Sequence, residues 1–284
     1  MSESVVKLGI LKLGCIGSAP LLEFLLDERA ERNDIETRVV GTGASMAKKR
    51  CEDAAKALIE YGPHLAVVIS PNATLPGPRV AREVCAKSGI PTIIISDSPT
   101  RKIVKDLEAA GYGYIIPRAE SMIGARREFL DPIEMALFNA DIIKVLAVTG
   151  VFNFIVDSID HAIDAIKTGK EPPLPRLIVT KEKAIPASGL KNPYARSKAM
   201  AAHEVSSHVA RLNSEGCFVL REWESYTSVV AAAHEMMRYA AKLADEAREI
   251  EKGRDTVTRR PHAKDGTITP KTRLIEKPTR PQKS

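Results

Sequence analysis

The sequence predicts an α/β fold built on a mostly parallel sheet, and three observations predict it. Short runs rich in Val, Ile and Leu alternate with helix-like segments through the first half of the chain. The runs are continuously apolar rather than alternating with polar residues, as in strands covered on both faces. Each run also ends in a cluster of small or polar residues, so the turns fall along one edge of the sheet, where parallel sheets bind ligands.

The first run, Val5, Val6, Leu8, Ile10 and Leu11, feeds a turn of Gly14, Cys15, Ile16, Gly17 and Ser18, and a helix-like segment follows at once. A helix opening on such a turn leaves backbone N–H groups unpaired at its positive end, which favours an anion such as phosphate. The dinucleotide fingerprint requires G-x-G-x-x-G and an acidic residue about 20 positions on. This chain has only Gly14 and Gly17, and its second run closes on Val40, Gly41, Thr42, Gly43 and Ala44 without a carboxylate. The expectation is a phosphate-bearing ligand other than NAD, with a turn that is merely tight as the alternative.

His64 to Ile69 forms the next run, closing on Ser70, Pro71 and Asn72, and Pro91 to Ile95 another, closing on Ser96, Asp97, Ser98 and Pro99. Helices are expected over Pro78 to Lys87 and Arg101 to Ala110. Asp97 ahead of Ser-Pro-Thr suits a ligand contact and a helix cap equally. Residues 1–128 thus read as a Rossmann-like cofactor-binding domain. Residues 129–252 read as a helical bundle, with a nearly all-apolar stretch from Leu130 to Lys167, a short inserted strand over Arg176 to Thr180, and helices over Tyr194 to Asn213 and Thr227 to Lys252. Residues 253–284 read as a small β-hairpin around Lys264-Asp265-Gly266.

Composition excludes several classes. At 284 residues and 44% apolar content the chain is an ordinary globular protein, without the roughly 20-residue apolar run of a membrane span. With no signal-peptide pattern at the N-terminus, the expectation is a cytoplasmic protein with no membrane partner. Four scattered cysteines, with no C-x-x-C pair, argue against a disulfide framework and a zinc site, and Cys51 and Cys85 read as small helix-face hydrophobes. His203 and His208 lie five apart and lack the i, i+4 spacing that puts two imidazoles on one face, so no metal is expected. Asp157, Asp160 and Asp164, beside Lys167, read as a solvated face or an oligomer contact. From Glu251 onward ten basic residues stand against four acidic ones, which accounts for the whole formal charge of +6. The hairpin pattern there favours assembly, or approach to an acidic cofactor tail, over binding of nucleic acid.

Four strings sharpen this. Val6 to Ser18 (VKLGILKLGCIGS), Val68-Ile69-Ser70-Pro71-Asn72, Ile95-Ser96-Asp97-Ser98-Pro99, and Pro117 to Pro132 (PRAESMIGARREFLDP) together resemble the coenzyme F420-dependent methylenetetrahydromethanopterin dehydrogenases of methanogenic archaea. The resemblance covers essentially the whole chain. It implies reversible hydride transfer between 5,10-methylenetetrahydromethanopterin and coenzyme F420 in one-carbon metabolism, giving the methenyl carrier and reduced F420. F420 would be a diffusible cosubstrate, with no metal and no bound flavin. A homo-oligomer, a hexamer as in the family, is implied as well.

Under that resemblance Gly14, Cys15, Ile16, Gly17, Ser18, Thr42, Gly43, Ala44, Ser70, Pro71, Asn72 and Ser98 are expected to bind F420. Asp97 and Glu120 are expected to stabilise the carrier cation. Arg118, Arg126, Arg127 and Glu128 are expected to bind the pterin carrier, the arginines through its anions and Glu128 through the ring. Two other readings remain: an NADP-dependent oxidoreductase, for which Lys48, Lys49 and Arg50 follow the second run, and a non-catalytic α/β ligand-binding module.

Overall fold

The computed structural model describes residues 5–121 and 131–279. The apolar runs become strands and the intervening segments helices: β1 (Val6–Lys12), α1 (Ser18–Glu28), β2 (Ile35–Gly41), α2 (Lys48–Glu60), β3 (Leu65–Ser70), α3 (Pro76–Lys87) and β4 (Thr92–Ser96). A 3-10 turn at Ser98–Ile103 then leads into α4 (Val104–Ala109) and β5 (Gly113–Pro117). The second half supplies α5 (Pro132–Val148), α6 (Val151–Lys167), β6 (Arg176–Val179), α7 (Lys181–Ala187), α8 (Pro193–Ser214) and α9 (Trp223–Lys252). Two short strands, β7 (Thr258–Arg259) and β8 (Thr272–Arg273), close the chain.

The main sheet has the order β2-β1-β3-β4-β5-β6, and every pairing in it is parallel. Strand β6 comes from the helical half and extends the sheet beyond β5. Alternation along the strands sorts side chains to two faces. Ile10, Val67, Ile69 and Ile95 face α1, α5, α6 and the Met237 region of α9 in the largest core cluster. Leu11 and Val68 face the other way, onto Cys51 and Leu58 of α2 and Ala81 and Cys85 of α3. The cysteines are fully buried, and burial pushes the Cys85 thiol up to about 11. Strand β2 departs from the expected double burial: it is an edge strand, its Glu36 and Arg38 in water, as suits an edge that must not pair further.

The chain leaves β1 for α1 on one face and β3 for α3 on the other. The two connections diverge between neighbouring strands, which opens a crevice at their carboxyl ends.

The apolar stretch after residue 130 is two helices, bent by 68° at Thr149 and Gly150. Gly150 takes φ +95°, and a side chain there would run into the Ala184 carbonyl of α7. Among the described residues no single helix is long and apolar enough to cross a membrane. Helices α8 and α9 pack along each other through small residues including Ala199, Ala202, Ala233 and Ala240, which permit close backbone approach.

The C-terminal hairpin forms with its turn at Ala263–Gly266; its ladder pairs Thr258 with Arg273 and Arg259 with Thr272, and His262 and Ile268 bridge nearer the turn. It docks at the amino end of the sheet. Asn33 N–H donates to the Lys264 carbonyl at 2.7 Å, Lys167 Nζ reaches the Asp265 carbonyl at 3.3 Å, and His262 lies 3.0 Å from Glu28. An approach to a cofactor tail at the carboxyl edge is therefore corrected: the hairpin sits at the opposite edge, held by the segment that leads into β2.

Beneath it Arg32 and Lys167 both bind Asp34, at 2.8 Å each. Burial alone would raise the Asp34 carboxyl, but these two cations pull it down to about 2. Asp160, expected on a solvated face or at an oligomer contact, is instead buried within the chain and bonded to Arg29 at 2.7 Å. A carboxylate at helical spacing does not announce which side of the helix meets a buried arginine.

Candidate active site at the carboxyl edge of the sheet

Two buried carboxyl groups form the floor of this edge. Glu120 follows β5 by three residues, yet its side chain reaches the start of α1, which follows β1. Three strand spacings of about 4.8 Å each separate those strands, so the Glu120 side chain ties the end of β5 to a helix start that lies three strands away in the sheet order. Glu120 accepts from the backbone N–H groups of Gly17 and Ser18 at 2.9 Å each, and the Ser18 hydroxyl donates to it as well. It is fully buried. That desolvation lifts its carboxyl to about 7, against the pull of the three donors.

Asp97 lies at the tip of β4, 4% exposed, and accepts from Ser98 N–H at 2.5 Å. Burial first, and then the neighbouring Glu120, push its carboxyl well above the usual carboxylate range. Burial disfavours the charged form of both acids, and the charge of Glu120 disfavours ionisation of Asp97 further.

Glu120 changes the expectation for the first turn. The amides of Gly17 and Ser18 were expected to be open to a phosphate, but the chain's own carboxylate occupies the positive end of α1. Gly17 is there for packing: a methyl group on it would overlap Ile142 of α5 and crowd Glu120. Gly14 serves the turn itself, at φ +78° and closely backed by Met46 and Pro71. The α1 helix start is thus a wall of the site, and its phosphate role is corrected.

The remaining tips do converge. Pro71 lies against Gly14 across the β1–β3 crevice. Ser96 Oγ donates to the Ser70 carbonyl at 2.7 Å and accepts from Thr100 Oγ1 at 2.7 Å and Ala73 N–H at 3.1 Å, locking the tips of β3 and β4 together. Asn72 accepts from Thr74 N–H at 3.0 Å, and Thr42 Oγ1 donates to the Ser45 carbonyl at 2.6 Å. Cys15, Thr42, Asn72 and Ser98 are partly accessible and Gly43 and Ala44 exposed, whereas Ile16, Ser18, Ser70 and Pro71 are buried behind them. Gly43, at φ +61°, has open space where a side chain would be. Lys49, one of the basic residues that suggested NADP, is paired to Asp53 at 2.7 Å.

Of the four residues expected to bind the pterin carrier, Arg118 lines a cavity of about 400 Å³ beside Glu120. Arg126, Arg127 and Glu128 lie outside the described residues. That cavity also draws in His203 of α8, weighed from the sequence only as a metal ligand and set aside, and Arg211, which the sequence did not single out. A signal was present, since His203, Ser207 and Arg211 recur at i, i+4, i+8 and share one helix face.

An all-parallel α/β sheet with a crevice at its carboxyl edge and a pair of buried acids beneath it defines an enzyme-type α/β domain that binds its ligands across the strand tips. The family model for methylene-5,6,7,8-tetrahydromethanopterin dehydrogenase matches residues 6–279. An F420-dependent methylenetetrahydromethanopterin dehydrogenase of Archaeoglobus fulgidus is 56% identical over 96% of this chain and 99% of the relative. The protein of that description from Methanocaldococcus jannaschii is 50% identical over the same shares. A solved structure of an F420-dependent methylene-tetrahydromethanopterin dehydrogenase in complex with methylene-tetrahydromethanopterin and coenzyme F420 superposes with a TM-score of 0.92 at 44% identity, covering 97% of this chain and 100% of that one. The chain belongs to the methylenetetrahydromethanopterin dehydrogenase family.

Proposed function

We infer that this protein catalyses reversible hydride transfer between methylenetetrahydromethanopterin and coenzyme F420. The observation that carries the reading is the match of the whole chain, at 56% and 50% identity, to relatives of that activity, on a sheet whose strand tips meet at one crevice.

F420 supplies the hydride-accepting ring, so the protein's part is to orient, to exclude water and to tolerate charge. The rim from Cys15 through Thr42, Gly43, Ala44 and Asn72 to Ser98 is proposed to hold the deazaflavin. Its backbone groups and short side chains allow close approach of a flat ring.

Asp97 is proposed to stabilise the positive charge that develops on the carrier as its methylene carbon loses hydride. Nearby positive charge favours the ionised acid, so the Asp97–Glu120 pair is poised to become more negative as the carrier becomes more positive. Glu120, fully enclosed, acts behind Asp97: it fixes the first turn of α1 and presses on the Asp97 charge. Self-association into a homo-oligomer, a hexamer as the family resemblance implies, is supported by large apolar side chains left in water, such as Phe218, Trp223 and Ile133.

The test is turnover of the purified protein with the methylene carrier and either F420 or NADP, followed by the absorbance of each acceptor. Loss of deazaflavin absorbance, with NADP inert, is the expected result; reduction of NADP alone would refute the reading.

A further inference from the structure

We propose that the cavity between the end of β5, the start of α7 and the outer face of α8 is an anion subsite that receives the carboxylate- or phosphate-bearing tail of one of the two carriers. This rests on the reading that both carriers meet at the adjoining strand tips. Arg118, Lys181, His203, His208 and Arg211 surround about 400 Å³ there.

Lys181 is satisfied by Glu204 at 2.8 Å, and Glu182 stands exposed at the margin. Among the described residues the guanidinium groups of Arg118 and Arg211 have no ion pair, although both line the space. A second observation is independent of charge. His203 is 1% exposed, yet among the described residues neither ring nitrogen has a hydrogen-bond partner. A buried donor left unmet is costly, and native structures rarely tolerate one without a ligand or water to meet it. Burial holds this imidazole down to about 4, so at neutral pH it is uncharged and offers one N–H to an incoming oxyanion.

Placement ties the cavity to the chemistry. Arg118 precedes Glu120 by two residues, and Ser206, within one turn of His203, donates to the Ala119 carbonyl at 2.5 Å. The cavity and the acid floor share this wall, so a ligand whose ring lies over the floor has its tail within reach. Among the described residues the lining contains no Phe, Tyr, Trp, Leu, Ile or Val, whereas its guanidinium and imidazole donors suit phosphate and carboxylate.

Arg211→Ala tests it, with Arg196→Ala on the same helix but outside the cavity as control. Initial rates are measured with F420, with a deazaflavin lacking the phosphodiester and glutamates, and with varied methylene carrier. If the F420 tail is the occupant, the Arg211 variant raises the KM for F420 by about tenfold, as expected for loss of a charge-assisted hydrogen bond, and leaves the KM for the tailless deazaflavin unchanged. If the pterin carrier's tail is the occupant, its KM rises instead. Both KM values staying within twofold of wild type would overturn the proposal. In wild-type protein the His203 ring resonances should also shift on adding triglutamate or inorganic phosphate, and neither moving them counts against it equally. Wild-type protein without turnover on either carrier defeats the underlying reading and this subsite together, whereas normal wild-type turnover with an indifferent Arg211 variant defeats the subsite alone.

Discussion

Glu120 sits where an external phosphate was expected, held by the Gly17 and Ser18 amides and the Ser18 hydroxyl. Because its carboxyl is raised to about 7, the folded protein binds a proton there that the unfolded chain has already released. Its contribution to stability is therefore full below the unfolded value near 4.5 and is lost as pH rises through about 7, a change on the order of 3 kcal/mol. Urea unfolding of the wild type should show that decline, and Glu120→Gln should flatten it; an equal slope in both would place the titration elsewhere. The variant should also be weaker at low pH, since an amide turns an N–H toward one of the three donors.

For Asp97→Asn the expectation concerns rate. Turnover should fall by about 10- to 100-fold through lost charge stabilisation, with the unfolding midpoint little changed. A variant as fast as wild type would remove Asp97 from the chemistry. Asp97 was marked because it follows an apolar run and Glu120 because it lies in the Pro117 to Pro132 string, but their proximity was hidden. It depends on Glu120 reaching the Gly17 and Ser18 amides about a hundred residues earlier in the chain, which no local pattern encodes.

Among the elements, the contact of α1 with α5 depends on Gly17. Gly17→Ala forces Ile142 and Glu120 to move, and overpacking of this kind costs about 1–3 kcal/mol. A lowered urea midpoint with reduced turnover is expected, and an unchanged midpoint would show that α5 can shift without penalty. Strands β1, β3 and β4 were legible because double burial leaves a continuous apolar run, whereas β2 lies at the exposed edge and β5 was not singled out. The short α7 was not, since Pro186 lies inside it and it covers less than two turns of weak pattern. The bend at Gly150 was also obscure, because its cause is the approach of the Ala184 backbone from a distant part of the chain.

At the scale of the whole molecule, the two edges of the sheet do separate work. The amino edge is clamped by Asp34, Arg32, Lys167 and the C-terminal hairpin. The depressed Asp34 carboxyl contributes stability that is present above its unfolded value near 3.8 and lost as pH falls through about 2. Asp34→Asn should reduce the unfolding midpoint at neutral pH and lessen its fall in acid; a variant with the wild-type acid profile would refute the clamp. The basic charge of the C-terminal region was legible in the sequence, but its docking partners were not, being spread over α1, α6 and the segment before β2.

The carboxyl edge is left for ligands, and the central claim is that F420 lies there. Backbone amide exchange with and without saturating F420 tests this most directly. The account predicts new protection in the segments 13–18, 42–45, 70–74 and 96–100, with the hairpin at 256–273 unaffected. Protection confined to α8 and α9, with those four segments exchanging as in the free protein, would contradict it.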